Sequence, residues 1–246
     1  MNTKYNMYLT IDIGNTRTKA AVFDADGLLV LSTVVEGDEL TFLNTLIHSH
    51  RIQHVITSST GSRTWEAASL VVPGKNIRLS HETLLPIQLI YTTPETLGRD
   101  RIAAACGAHA AFPNSTCLVI DAGTCITMDM VTDTGLFLGG NIAPGLRMRL
   151  KAMHDYTARL PLVDPDWPDL PFGDSTMHAM QNGACLGAKM EIEGIYRKAK
   201  DAFGTVSIVM TGGDATFLAD KVESEIFVEP ELVVKGLFKI LSFNVQ

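Results

Sequence analysis

The strongest constraint on the fold is a segment that the sequence contains twice. Residues 7–34 and residues 117–143 each read as an apolar strand, a D-x-G turn, a second strand, a glycine turn and a third strand. Asp12 and Asp121 occupy the same place in the two copies, 121 − 12 = 109 residues apart, which is close to half of the chain. Short apolar runs joined by turns with glycine are typical of β-hairpins. The sequence therefore predicts two related three-stranded units.

Each copy is followed by segments with helix and strand patterns. Helices are predicted over 38–50, 62–71, 145–156 and 174–202, and strands over 53–59 and 206–211. The run 211–220 then reads as a strand end, a glycine turn and a helix start. This order is that of an α/β domain duplicated once. We place the boundary near residue 114, where Pro113-Asn114-Ser115 interrupts the pattern, which gives domains 1–114 and 115–246.

One segment, residues 157–173, has four prolines and cannot hold regular structure for long. Two interpretations of this segment remain. It is either a surface connection or a loop that covers a site, and the sequence does not decide between them.

The composition is that of an ordinary globular protein. The chain has 246 residues, of which 46% are hydrophobic and 19% are charged, and this is enough apolar material to bury a core. The formal net charge of −7 argues against a nucleic-acid binder, which usually carries a basic face. The chain begins with no signal-peptide pattern, contains no run as long as a membrane helix, and has four cysteines without a C-x-x-C pair. We therefore expect a cytoplasmic protein with reduced thiols.

The two D-x-G turns suit the phosphate chain of a nucleotide. Glycine allows a tight turn and a close approach of the backbone to the phosphates. Exposed amides and a threonine hydroxyl can donate hydrogen bonds to phosphate oxygens, and the aspartate can hold a hydrated magnesium ion. One such turn is weak evidence, because aspartate commonly forms turns, but two in repeated units are more specific. The P-loop, Rossmann, zincin and G-x-S-x-G motifs are all missing from the sequence, which excludes those classes.

Four motifs, in order along the chain, resemble those of the type III pantothenate kinases. The family's D-x-G-N-x-x-x-K motif is similar to Asp12-Ile13-Gly14-Asn15-Thr16-Arg17-Thr18-Lys19. Its G-x-D-R and D-x-G-T motifs are similar to Gly98-Arg99-Asp100-Arg101 and to Asp121-Ala122-Gly123-Thr124. Its G-G-x-I-x-P-G stretch is similar to residues 139–145. Each motif alone is modest, but the resemblance extends from residue 7 to about residue 213.

The resemblance implies a fold and an activity. The fold would be two ribonuclease H-like domains of the actin-like ATPase type with a central cleft. The activity would be the ATP-dependent phosphorylation of pantothenate to 4′-phosphopantothenate, the first step of coenzyme A biosynthesis. The family uses Mg²⁺ with ATP and a monovalent cation, K⁺ or NH₄⁺, and its members are homodimers with substrate pockets near the subunit interface.

The resemblance also implies roles for individual residues. ATP phosphates would be bound by Asp12, Ile13, Gly14, Asn15, Thr16, Arg17, Thr18 and Lys19, with Thr124 contributing from the second copy. Asp100 would be the general base that takes the proton of the substrate hydroxyl. The substrate would be held by Tyr91, Gly98, Arg99, Asp100, Arg101 and Thr176. Asp121 would bind the monovalent cation, and Asp12 would hold Mg²⁺ through water.

Several of these residues have a simpler structural interpretation that the sequence leaves open. Asp100 and Arg101 also fit a surface pair at a helix start. Tyr91 also fits a strand aromatic, Thr176 an ordinary residue of the first helical turn, and Lys19 a solvated strand position. Structural roles and substrate contacts are therefore both open for this set.

Arg99 is a departure from the family pattern, which often has a small residue at this position of G-x-D-R. The arginine either points to solvent or adds charge near the substrate. The sequence does not decide, and the detail of substrate contact stays open here.

Two other functions are compatible with parts of the sequence. A non-catalytic relative would bind a nucleotide and act as an accessory or regulatory factor. Such a factor would not need the intact set Asp12, Asp100 and Asp121, so this set favours the enzyme. A sugar kinase of the same fold is disfavoured by the short chain and by the G-x-D-R match.

Overall fold

The computed structural model describes residues 6–60 and 69–245, so most of the helix predicted over 62–71 lies outside the described residues. The chain divides into two compact units, and each is described by itself. Unit 1 contains Met1–Pro113, Gly135–Phe137 and Glu231–Gln246, and unit 2 contains Asn114–Thr134 and Leu138–Pro230.

Unit 1 is built on a five-stranded sheet. Its elements are β1 (Met7–Ile13), β2 (Thr18–Phe23), β3 (Leu29–Val34), α1 (Glu39–His50), β4 (Ile52–Ser59), β5 (Asn76–Arg78), β6 (Gln88–Leu89), a 3₁₀ turn (Pro94–Thr96), α2 (Arg99–Ala111) and α6 (Leu232–Val245). The strand order is β3-β2-β1-β4-β5. Strands β1, β2 and β3 form an antiparallel meander, and β4 lies parallel to β1 on its other side. The predictions of three strands, a helix and a further strand are confirmed.

The core of unit 1 lies between β1 and α1. Leu9, Ile11 and Ile13 alternate along β1 and pack with Leu43 and Ile47 of α1. This alternation of apolar residues is the period-two pattern of a strand with one face in the core. The position of Asp12, between two buried apolar neighbours, places its side chain on the other face of the sheet.

The C-terminal helix α6 belongs to unit 1, although the predicted second domain extended to residue 246. Glycines allow α6 and α2 to pack closely: a Cβ atom on Gly107 would lie 2.5 Å from the carbonyl oxygen of Leu232. Phe238 of α6 also stacks on Phe23 of β2, with ring centroids 4.7 Å apart. The sequence pattern near residue 114 does not indicate that the chain comes back to unit 1 at α6, because α2 and α6 are more than a hundred residues apart in the sequence.

Unit 2 repeats the arrangement. Its elements are β7 (Cys117–Ala122), β8 (Cys125–Val131), β9 (Leu136–Pro144), α3 (Leu146–Asp155), α4 (Thr176–Phe203), β10 (Ser207–Thr211), α5 (Ala215–Ala219) and β11 (Ile226–Val228). Its strands follow the order β11-β10-β7-β8-β9. As β1 lies between antiparallel β2 and parallel β4, so β7 lies between antiparallel β8 and parallel β10. The predicted repeat and the long helix opened by Ser175 are confirmed.

The proline-containing segment 157–173 has no helix or strand and packs partly on the core of unit 2. Trp167 stacks on Phe217, with ring centroids 5.3 Å apart, and its indole N–H donates to the Phe217 carbonyl oxygen at 3.3 Å. Gln181 of α4 donates to the Asp164 carbonyl oxygen. These contacts hold the segment against unit 2. None of the described helices is long and apolar enough to cross a membrane.

Candidate functional site

Asp12 is the centre of the candidate site in unit 1. It lies near the end of β1, directly opposite Lys19 on β2 and Ser58 on β4. Its Oδ1 atom is buried and, like the Ser58 hydroxyl, makes no hydrogen bond of normal geometry to a described residue, although the hydroxyl is close enough to lower the pKa of Asp12. A buried carboxylate oxygen without a donor is unfavourable unless a ligand completes it. The residues present therefore fit a cation, or a water molecule bound to one.

The electrostatics of Asp12 reflect this burial. Desolvation, and next the nearby carboxylate of Asp100, raise the pKa of Asp12 from 3.8 to about 6. The Ser58 hydroxyl, and then the positive charges of Lys19 and Arg17, act in the opposite direction without cancelling the increase. The two carboxylates assigned from sequence to magnesium and to base catalysis are thus close enough in unit 1 to repel each other.

The turn after Asp12 exposes its middle residues. The amide of Gly14 donates to the carbonyl oxygen of Arg17 at 3.1 Å, which closes the turn between β1 and β2. The side chains of residues 15–17 are exposed. Asn15, Thr16 and Arg17 are therefore placed where a phosphate group can reach them.

Two other residues of the same motif are part of the core instead. Ile13 is buried, and Thr18 is 1% exposed. The Thr18 hydroxyl donates to a carboxylate oxygen of Glu39, at the start of α1, at 2.9 Å. These side chains shape the turn, and only their backbone groups are in a position to contact a nucleotide from this motif.

Lys19 makes a contact that sequence reasoning missed. Its ammonium nitrogen lies 2.8 Å from Oε2 of Glu231, and both side chains are only about a fifth exposed, 21% and 23%. The hydroxyl of Ser32 on β3 donates to the same oxygen at 2.8 Å. Lys19 is therefore held in a defined place and is not a solvated strand residue.

The G-x-D-R motif forms the start of helix α2. Oδ1 of Asp100 accepts a hydrogen bond from the backbone N–H of Arg101 at 2.8 Å. A Cβ atom on Gly98 would lie 2.6 Å from that same oxygen, so glycine is needed for the carboxylate to fold back in this way. A carboxylate in the first helical turn is also favoured by the helix dipole. Asp100 is half-buried, so it is neither sealed in the core nor freely mobile.

Arg101 and Tyr91, both predicted as substrate residues, lie close together in unit 1. Arg101 is 5% exposed, and its guanidinium carbon lies 5.9 Å from the centre of the Tyr91 ring. A guanidinium over an aromatic face is a favourable cation–π arrangement. A buried arginine in this setting is a strong candidate for binding the carboxylate group of a ligand.

Arg99 has a structural role. Its guanidinium donates to the carbonyl oxygen of Leu97 at 2.6 Å and to that of Glu95 at 3.1 Å. A longer contact of 3.4 Å reaches the carbonyl of Pro94. The arginine therefore closes the 3₁₀ turn that leads into α2, and it does not point away into solvent.

The matching turn of unit 2 is packed more closely by backbone. A Cβ atom on Gly212 would lie 2.5 Å from Oδ1 of Asp121, and a Cβ atom on Gly123 would lie 3.2 Å from the same oxygen. The amide of Gly145, before α3, donates to the carbonyl oxygen of Thr124 at 3.1 Å. Glycine is required at 212, where φ is +99° and the carbonyl of Ala122 is close. The Asp121 carboxylate thus lies close to the backbone of Gly212 and Gly123.

Thr176 is the first residue of α4 and is exposed. Its neighbour Ser175 caps the helix by accepting from the His178 amide at 3.2 Å. Thr176 therefore lies in unit 2, whereas the other proposed substrate residues lie in unit 1. Among the described residues, no group of three or more histidine, cysteine, aspartate or glutamate side chains has the arrangement of a metal site.

The repeated topology places the chain in the class of duplicated ribonuclease H-like, actin-like ATPase folds. A solved structure of the activator of 2-hydroxyisocaproyl-CoA dehydratase from Clostridium difficile with bound ADPNP aligns with a TM-score of 0.54 and 12% identity, covering 96% of this chain and 93% of that one. A structure described as a Baf-family transcriptional activator from Campylobacter jejuni aligns with a TM-score of 0.60 and 24% identity, covering 96% and 98%. These likenesses confirm the predicted fold class.

Within that class, sequence comparison is more specific. A family model described as type III pantothenate kinase matches residues 8–198. Type III pantothenate kinases of Flavobacterium johnsoniae and Porphyromonas gingivalis are 36% and 39% identical, covering 98% and 96% of this chain and 99% and 98% of their own. The chain belongs to the type III pantothenate kinase family.

Proposed function

We propose that this chain transfers the γ-phosphoryl group of ATP to the primary hydroxyl of pantothenate, giving 4′-phosphopantothenate, the first step of coenzyme A biosynthesis. Family membership over nearly the whole chain supports this reaction. The observation that carries it at the site is the approach of Asp100 to Asp12, because it joins a candidate base to a candidate phosphate and cation site. Phosphoryl transfer requires mainly such positioning and charge stabilisation.

Asp100 is the proposed general base. Its Oδ1 accepts the Arg101 amide, which fixes the rotation of the carboxylate. A fixed carboxylate can accept the hydroxyl proton as the oxygen attacks the γ-phosphorus, and the bond from that phosphorus to the ADP oxygen breaks. Gly98 leaves the space that this orientation needs.

Arg101 and Tyr91 are the proposed ligands of the pantothenate carboxylate and chain. The buried guanidinium is held over the tyrosine ring, which limits its freedom before substrate binds. Guanidinium binds carboxylate through paired hydrogen bonds. Thr176 is proposed as a further substrate contact, and Arg99 acts on the same site through the turn that it closes.

The proposed nucleotide ligands are the exposed turn after Asp12, Lys19 and, from unit 2, Thr124. Bound magnesium would neutralise part of the phosphate charge, and Asp12 would hold it through water, as its unpartnered Oδ1 atom suits. Lys19 adds a cation next to this turn. Asp121, whose carboxylate lies close to the backbone of Gly212 and Gly123, is the proposed ligand for K⁺ or NH₄⁺.

We further propose that the protein is a cytoplasmic homodimer. Unit 2 exposes large apolar side chains on β9 and α4, with Ile142 at 64% and Met190 at 60%. Met148 of α3 is also exposed. Apolar side chains exposed on neighbouring elements favour an interface between subunits, and Thr176 begins the same helix that carries Met190.

A direct assay tests the proposal. Purified protein is incubated with ATP, Mg²⁺ and K⁺, with and without pantothenate, and ADP release is followed. A rate that depends on pantothenate and falls when Na⁺ replaces K⁺ supports both the acceptor and the monovalent cation. ATP binding without any pantothenate-dependent rate would contradict the proposed acceptor.

A further inference from the structure

We propose that Glu231 is a positioning residue that fixes the ammonium group of Lys19 beside the phosphate-binding turn. This inference rests on the proposed function, because it assigns Lys19 to the nucleotide phosphates. Glu231 lies outside every motif of the family resemblance, and it enters the site only through the fold.

The contact has the geometry of a built ion pair. Glu231 Oε2 lies 2.8 Å from the Lys19 ammonium nitrogen and accepts the Ser32 hydroxyl at 2.8 Å. Both charged side chains are about four-fifths buried, since their exposed fractions are 21% and 23%. Burial reduces screening by solvent, so this pair is stronger than an exposed one. One carboxylate oxygen therefore connects β2, β3 and the start of α6.

The backbone at Glu231 is held in place by hydrogen bonding and by the packing of α6. Its carbonyl oxygen accepts the amide of Lys235 at 2.9 Å, which begins the hydrogen-bond ladder of α6. That helix is fixed on β2 by the stacking of Phe238 on Phe23. It is fixed on α2 by the close contact of Gly107 with Leu232. The position of the Glu231 carboxylate is therefore well defined, and this carboxylate can order the flexible Lys19 side chain.

The position of Lys19 explains why this matters for the reaction. Lys19 faces Asp12 across β1 and β2, and its charge acts on the Asp12 carboxylate. A free lysine loses much rotamer entropy when it is ordered. Glu231 orders it before a nucleotide arrives, and an ammonium has three N–H donors, so a bond to Glu231 is compatible with one to a phosphate oxygen.

The test uses Glu231→Gln, which keeps the shape and an acceptor for Ser32 but removes the charge. ATP affinity is measured by calorimetry without pantothenate, so the readout does not depend on the acceptor. We expect roughly tenfold weaker ATP binding and a similar increase in KM for ATP, because loss of preorganisation lowers affinity. KM for pantothenate should stay within about twofold. Glu225→Gln, the same charge change at an exposed residue, should bind ATP as the wild type does.

A double-mutant cycle separates positioning from a general structural effect. If Glu231 acts through Lys19, Glu231→Gln should have no further effect on ATP affinity in a Lys19→Gln background. Should Glu231→Gln not fold, Ser32→Ala removes one bond to the carboxylate and should weaken ATP binding in the same direction by about threefold, within the energy of one hydrogen bond.

Three results would overturn the inference: ATP binding that is unchanged or tighter in Glu231→Gln, a loss that persists without Lys19, or an equal change in KM for pantothenate. A wild-type protein without pantothenate-dependent turnover would count against the proposed acceptor alone. The calorimetric loss through Lys19 would still support the role of Glu231 at a nucleotide site.

Discussion

The two strand turns that carry the repeated aspartates have the same topology but different surroundings. In unit 1, Asp12 has a buried oxygen without a partner, close to the charges of Asp100 and Lys19. In unit 2, the Asp121 carboxylate lies beside the backbone of Gly212 and Gly123. The repeated pattern therefore fixed the strand ends in both units, whereas the charged side chains that suit phosphoryl transfer are concentrated in unit 1.

The largest effect should come from Asp100, the proposed general base, whose charge acts on Asp12. We expect Asp100→Asn to lower pantothenate-dependent ADP release by about 10³-fold or more, because the general base is lost. ATP binding, followed by calorimetry, should stay within about threefold of the wild type. Near-normal turnover of this variant would show that the base is another group and that the unit 1 charges do not define the site.

Asp12→Asn should reduce activity but stabilise the unliganded protein. The raised pKa of Asp12, about 6 against 3.8, means that the native state holds a proton more tightly than the unfolded state. The ionised carboxylate of Asp12 therefore lowers the free energy of unfolding. This destabilisation is absent below pH 4, grows between pH 4 and 6, and is complete above pH 6. The gain in the free energy of unfolding at pH 8 should be up to about 3 kcal/mol, measured by chemical denaturation without ligand.

The pH dependence supplies the control for this prediction. The difference between Asp12→Asn and the wild type should shrink as the pH falls from 6 to 4, because the wild-type carboxyl becomes neutral. A variant that is less stable than the wild type at pH 8 would contradict the account of Asp12 as a buried, unpaired carboxylate.

The glycines that contact the two turns should also differ in their tolerance of a methyl group. A Cβ on Gly145 would press against the carbonyl oxygen of Thr124 at 2.5 Å, whereas a Cβ on Gly14 meets the Arg17 carbonyl at 3.2 Å. We expect Gly145→Ala to lower the free energy of unfolding by about 2 kcal/mol, as overpacking typically does. Gly14→Ala, the comparison variant in the unit 1 turn, should lose less than about 1 kcal/mol. Equal losses in thermal unfolding would remove the proposed difference in packing.

The smallest effect should be at Arg99. Its guanidinium binds carbonyl oxygens of the 3₁₀ turn, so Arg99→Ala should lower stability by about 1 kcal/mol, the usual worth of such hydrogen bonds. KM for pantothenate should change by less than about threefold. Arg101→Ala serves as the comparison, because that residue is the proposed carboxylate ligand and should raise the same KM much more. A large increase in KM for Arg99→Ala would place its charge next to the substrate.

Much of the fold could be predicted from local patterns. The strands β1 and β7 show apolar runs that end at an aspartate and a glycine, and α4 opens at a serine cap, so each has a signal within a few residues. Strands β5, β6 and β11 have only two or three residues. Segments of that length carry no periodicity, so their pairing depends on the surrounding fold.

The candidate site shows the same limit. The carboxylates of Asp12 and Asp100 were found through motifs, but their closeness follows from the folding of unit 1. Glu231 is 212 residues from Lys19 (231 − 19), and no local pattern marks it. Thr18 was predicted as a phosphate ligand within its motif, yet its buried hydroxyl donates to Glu39 at the start of α1, because strand alternation turns it to that face.

The product of the reaction tests the central claim most directly. Wild-type protein is incubated with ATP, Mg²⁺, K⁺ and pantothenate, and the mixture is followed by phosphorus NMR and mass spectrometry. The account predicts one 4′-phosphopantothenate for each ADP formed. ATP hydrolysis to free phosphate without a phosphorylated pantothenate, or no consumption of ATP, would contradict it.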